Sequence, residues 1–200
     1  MNIYVETNFV LELAFEQEQS ESCEQILKFA EIKKIKLIIP AYSLAEPHEK
    51  LNRQAKNRKK LQNDLNIELR QLSRSKTYMN RLESIRDLAK LIAQSNEEEW
   101  QRFIQYRHRL LNCAEFITLD KNILRLGASF ENLYNLQSQD AIVFASVIFH
   151  LQQNNPNRAC FLNKNSKDFD NPDIVRELKK LNCRMIPRFD RGLDFIRSQL

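Results

Sequence analysis

Asn2-Ile3-Tyr4-Val5 runs straight into Glu6-Thr7-Asn8, and this junction decides how the rest of the chain is read. The first four residues read as a buried strand. An acid directly behind such a strand is costly to bury without a partner. Related arrangements recur twice. Leu37-Ile38-Ile39-Pro40 is a second short apolar run, with Glu46 one turn into the helix that follows it. Asp140 opens a third element, the helix Asp140-Ala141-Ile142-Val143-Phe144-Ala145. In a parallel α/β sheet, ligands bind outside the carboxyl ends of the strands. Acids gathered there repel one another unless a cation lies between them, and hard oxygen donors suit Mg²⁺ or Mn²⁺.

Outward from these junctions the chain alternates strands and helices. Residues 20–32 read as a helix with Cys23, Ile26, Leu27 and Ala30 on one face. A helix is expected from near Ser43. From about 50 to 112 there is no strand signal, no proline and no glycine. Leu61, Leu65, Leu69 and Leu72 fall at helical spacing, as do Leu82, Ile85, Leu88, Ala89 and Ile92. Two or more long helices are predicted there, with Glu97 to Glu99 at a helix start. Phe116-Ile117-Thr118-Leu119 resumes strand character. Asp120 to Leu126 reads as a short helix ended by Gly127. A helix covers roughly 138–152, and the last strands are Ala159-Cys160-Phe161-Leu162 and Cys183-Arg184-Met185-Ile186, separated by a helix after Pro172. The expected fold is α/β: a central parallel sheet of four or five strands with helices on both faces, extended by a helical insertion.

Composition narrows the function classes. At 200 residues and 42% hydrophobic content the chain can bury a real core. No apolar run approaches the roughly 20 residues that span a bilayer, and the opening residues do not read as a signal peptide. The expected setting is the cytoplasm, with no membrane partner. Cys23, Cys113, Cys160 and Cys183 are widely separated and read as buried free thiols. Two glycines argue against a glycine-rich phosphate loop, and the chain carries no Walker-type or dinucleotide fingerprint. The net charge of +5 is uneven: Lys50 to Arg86 holds eleven bases against three acids, net +8, which leaves −3 for the rest. Such a stripe fits phosphate binding, and it equally fits a solvated helical face.

The element order resembles that of a PIN domain, a nuclease fold. Ile3-Tyr4-Val5-Glu6-Thr7-Asn8-Phe9-Val10-Leu11 is similar to the family's opening strand and its Asp-Thr-Asn motif. Ser43-Leu44-Ala45-Glu46 is similar to the helix bearing the second acid. Leu136-Gln137-Ser138-Gln139-Asp140-Ala141-Ile142-Val143-Phe144-Ala145-Ser146 resembles the third acid and its helix. Phe161-Leu162-Asn163-Lys164-Asn165-Ser166-Lys167-Asp168-Phe169 resembles the strand and loop that close the site. Residues 1–49 and 113–188 carry the resemblance, so residues 50–112 read as a basic helical insertion within one domain spanning 1–200. Two positions depart from the family: Glu6 stands for its usual Asp, and Asn165 stands where Asp is frequent.

The resemblance implies a ribonuclease that hydrolyses RNA phosphodiester bonds with Mg²⁺ or Mn²⁺. Glu6, Glu46 and Asp140 would be catalytic acids and metal ligands, Asn165 and Asp168 further ligands, and Thr7 or Asn8 would orient water or phosphate. A toxin-type member would add an antitoxin protein as partner. The basic insertion would offer Arg53, Lys56, Arg58, Lys59 and Lys60 to RNA phosphates. His48, His108 and His150 show no metal spacing and read as structural or surface residues. Each acid also has a plainer reading. Ser43-x-x-Glu46 is a capping box. Ser138 would cap the next helix, leaving Asp140 to the helix dipole. Asp120 reads as a helix cap and Asp168 as a loop-stabilising acid. Two other functions stay open: a degenerate module that binds RNA or protein without cutting, and an interaction protein whose inserted helices form a homodimer.

Overall fold

The computed structural model describes residues 1–78, 82–165, 169 and 171–200. Five short strands form its sheet: β1 (Asn2–Val5), β2 (Lys36–Pro40), β3 (Glu115–Ile117), β4 (Ala159–Leu162) and β5 (Cys183–Ile186). They lie in the order β3-β2-β1-β4-β5, and every pairing is parallel. The chain winds from β1 out through β2 to β3, then returns to the other side of β1 for β4 and β5. The winding direction therefore reverses between β1 and β4. The crevice outside their carboxyl ends is where such a sheet takes a ligand.

Period-two alternation splits the core into two layers. Ile3, Val5, Leu37, Ile39, Cys160 and Leu162 face one layer. Tyr4, Ile38, Ala159 and Phe161 face the other. The first layer is covered by α1 (Thr7–Phe15), α2 (Ser20–Glu31), parts of α3 (Ala41–Leu72) and α4 (Glu83–Cys113), and α8 (Phe189–Arg197). The second is covered by α5 (Lys121–Tyr134), α6 (Ser138–Asn154) and α7 (Pro172–Lys180). Phe9, Phe103, Phe144, Phe161 and Phe189 are fully buried, and each contributes about 1.5–3 kcal/mol relative to exposure.

Several elements differ from the sequence-based expectation. The helix α5 does not stop at Gly127 but runs to Tyr134, and Asn135 ends it in the left-handed conformation. Gly127 lies at the contact of α5 with α6 instead: a Cβ there would meet the Ile142 Cα at 3.4 Å, the near edge of ordinary contact. Glu97 to Glu99 sit inside α4, not at a helix start. The third strand ends at Ile117, short of Leu119. The second acid's helix starts at Ala41 with Pro40 as its N-cap residue, so Ser43 is inside it and no capping box forms. The residue before α6 is Gln137, and no side chain caps that helix, so Ser138 is not its cap.

The block 50–112 is not uniformly an outgrowth. Leu51, Phe103 and Leu110 belong to the same core as the central strands. Further out, the helically spaced positions divide: Leu69, Leu82 and Ala89 are buried, while Leu61 and Leu88 are 54% and 50% exposed. The side chain of Ile85 lies outside the described residues. All four cysteines are free, Cys113 half-buried and the others buried. Among the described residues no helix is long and apolar enough to cross a membrane.

Candidate functional site

Glu6 is the N-cap of α1. Its backbone is extended, and its Oε2 accepts the Asn8 backbone N–H at 2.7 Å. Its Oε1 accepts the Lys164 backbone N–H at 3.1 Å, where the chain leaves β4. One carboxylate thus ties together the carboxyl ends of the two central strands. Glu6 is only 6% exposed. Burial pushes its carboxyl up to about 7; the N–H groups of Asn8 and Lys164 oppose that rise, and the charge of Asp140 adds to it.

Glu46 comes to the same place from α3, and its Oε2 accepts the Thr7 hydroxyl at 2.5 Å. Asp140 comes from the first turn of α6. Its Oδ2 accepts the Asn165 side-chain N–H at 3.2 Å. Asn165 is itself placed by a local turn, its backbone N–H donating to Asn163 Oδ1 at 2.7 Å. Glu6, Thr7, Asn8, Glu46, Asp140 and Asn165 line one cavity of about 200 Å³, floored in part by Leu11 and Val143. Of the residues singled out from the sequence as site members, Asp168 lies outside the described residues. Asp120 is not on this cavity; it caps α5, with Oδ1 accepting the N–H groups of Asn122 and Ile123. Nor are the histidines. His150 pairs with the Tyr4 hydroxyl, His48 packs edge-on to Trp100, and His108 bonds Asn112.

The donor set is all hard oxygen: three carboxylates, a hydroxyl and amide oxygens, with no thiol or imidazole. That chemistry fits Mg²⁺ or Mn²⁺. The acids are engaged by protein donors as they stand. Among the described residues, no three His, Cys, Asp or Glu side chains form a group that could hold a metal ion in their present positions.

Sequence reasoning missed three residues that build this site. Lys50 lines the cavity beside Glu46. It was concealed among the eleven bases of its stretch. Lys164, whose backbone holds Glu6, sends its Nζ to Glu12 and, at 3.4 Å, to Glu18. Glu12 is fully buried and also accepts the Gln19 N–H at 2.8 Å. A signal for Glu12 was present: it interrupts the apolar run Phe9-Val10-Leu11-Glu12-Leu13-Ala14.

The basic stretch divides. Arg53, Lys56, Lys59 and Lys60 are exposed. Arg58, expected to be exposed for phosphate, is instead forked onto Glu99 at 2.6 and 3.0 Å and onto Asn96 at 2.9 Å. It holds α3 to α4, so its guanidinium is committed to the fold.

A family model described as PIN domain matches residues 3–169. No curated protein matches the chain. Among solved structures the chain is similar to VapBC2 from Rickettsia felis, crystallised with a DNA fragment from its promoter. The two are 14% identical with a TM-score of 0.45, over 93% of this chain and 98% of that one.

Proposed function

The chain belongs to the PIN-domain family, and from that premise we propose that it is a divalent-metal-dependent ribonuclease hydrolysing RNA phosphodiester bonds. One observation carries the reading: Glu6, Glu46 and Asp140, drawn from three elements far apart in sequence, line one cavity outside the carboxyl ends of the strands. These three would hold Mg²⁺ or Mn²⁺, with Asn165 as a neutral oxygen donor and the Asp168 carboxylate as a further ligand. Such an ion, when bound, supplies a Lewis acid for the phosphate and a more acidic water. The chain's own residues prepare that chemistry. Asn8 gives Glu6 its backbone N–H, fixing that carboxylate. Thr7 fixes Glu46 through its hydroxyl. Leu11 and Val143 make part of the cavity wall apolar. The exposed Arg53, Lys56, Lys59 and Lys60 offer positive charge to the RNA backbone.

The test is incubation with assorted RNAs in Mn²⁺ and in chelator, alongside Asp140→Asn. Cleavage that needs Mn²⁺ and is lost in the variant is the expected result. RNA left intact by the folded wild-type protein in Mn²⁺ rejects the proposal. A toxin-type role adds an antitoxin protein to this reading; expression of the chain alone would then arrest growth, and expression of Asp140→Asn would not. A second reading, a module that binds without cutting, is favoured by the engagement of both Glu6 oxygens with backbone N–H groups. On that reading RNA is held in chelator and never cleaved.

A further inference from the structure

On α3, Lys50 follows Glu46 by four residues, and both line the cavity. Glu followed by Lys at this spacing is the orientation in which a helix forms an ion pair most readily. The pair does not form. Glu46 takes the Thr7 hydroxyl instead, and among the described residues Lys50 has no hydrogen bond or ion pair. Lys50 is also the one cation among the described residues that line the cavity. An unpaired ammonium on an acid-lined cavity is available to an anion that enters there.

The helix continues this line. At 3.6 residues per turn, positions 50, 53, 57 and 60 fall within about 40° of Glu46 around α3. They are Lys50, Arg53, Asn57 and Lys60, and the last three are exposed. Lys56 and Lys59 fall about 80° and 140° away, and Arg58 faces α4. The stripe from Lys50 to Lys60 is about 15 Å long. We propose that Lys50 binds the RNA phosphate next to the one being cleaved, and that Arg53 and Lys60 carry the flanking strand away from the cavity along α3. This rests on the ribonuclease reading and adds to it which bases touch the substrate.

The test uses the full chain and a fluorescent single-stranded RNA oligonucleotide. Binding is read by anisotropy in chelator across a salt series, and KM and kcat are read in Mn²⁺. Lys50→Gln is expected to weaken binding several-fold and to lower the salt slope by about 0.7, the value for one contact to a single strand. It should raise KM and leave kcat unchanged, because a flanking contact is made equally in ground and transition states. Lys50→Arg should restore both readouts. The double variant Arg53→Gln/Lys60→Gln should lower the slope by about 1.4. Thermal melting checks that each variant is folded. If Lys50→Gln keeps the wild-type slope, affinity and KM while wild type cleaves RNA, this inference falls and the ribonuclease reading stands. A fall in kcat at unchanged KM overturns the flanking-phosphate assignment. A wild-type protein that neither binds nor cleaves RNA overturns both readings.

Discussion

The two ends of α3 follow different rules. Over residues 41–51 the helix is held by the sheet: Ser43, Pro47 and Leu51 are buried, and Glu46 and Lys50 face the cavity. Local preferences are overridden there. Pro47 lies inside the helix and removes the N–H that would meet the Ser43 carbonyl. The Ser43 hydroxyl is buried without a hydrogen-bond partner among the described residues. Over residues 53–72 the helix packs on α4 through contacts such as Arg58–Glu99, while Leu61 and Ile67 stay half exposed. Broken local rules mark the end that carries the candidate chemistry. At the other end helix-forming residues and charge suffice.

Substitutions at four places break or sharpen this contrast: the cavity, the support behind Glu6, the Arg58 fork and the exposed face at Leu61. The largest effect is expected at the cavity. Asp140→Asn should remove Mn²⁺-dependent cleavage altogether while the melting temperature stays within a few degrees, since the side chain is half exposed and keeps its size. A folded variant that cleaves at the wild-type rate would remove Asp140 from the chemistry.

Next comes the support behind Glu6. Lys164→Met leaves the buried Glu12 carboxylate without its cation and should cost about 3 kcal/mol in urea unfolding, the low end for a broken buried pair because Lys164 is partly exposed. Adding Glu12→Gln should recover part of that loss. If the double variant is no more stable than Lys164→Met, the pair is not the source of the cost.

Arg58→Ala tests the outer half. Loss of its charged hydrogen bonds to Glu99 and Asn96 should cost about 2 kcal/mol. Lys59→Ala, one residue on and exposed, should stay within about 0.5 kcal/mol. Equal effects of the two would mean that the fork does not hold the helices together. Smallest of all, Leu61→Glu should change stability by less than about 0.5 kcal/mol, because more than half of the residue is already in water. A larger loss would show that this face is covered in solution.

How much was legible follows from how local each signal is. The inner strands β1, β2 and β4 stood out because both faces are buried, so their apolar runs are nearly unbroken. The close approach of α5 and α6 at Gly127 was misread as a helix end, because a glycine looks the same from sequence whether it serves a turn or a contact. With so few glycines, the left-handed helix ends fall to Glu16, Asn135 and Asn155, a weaker signal. Lys50 was invisible because nothing local separates it from ten other bases. Arg58 was misplaced because its partners stand 38 and 41 residues away.

By itself the sequence determined the alternation of strands and helices, the α/β class and the three acids that follow or open apolar elements. These depend on periodicity and on the cost of burying charge, which neighbouring residues express. Only the tertiary structure decided the strand order, the reversal between β1 and β4, and the cavity on which Glu6, Glu46 and Asp140 meet. It alone decided that Glu6 is held by Lys164, 158 residues further along the chain. Such choices rest on hydrogen bonds and packing between distant segments, and those partners exist only once the sheet has brought their ends together.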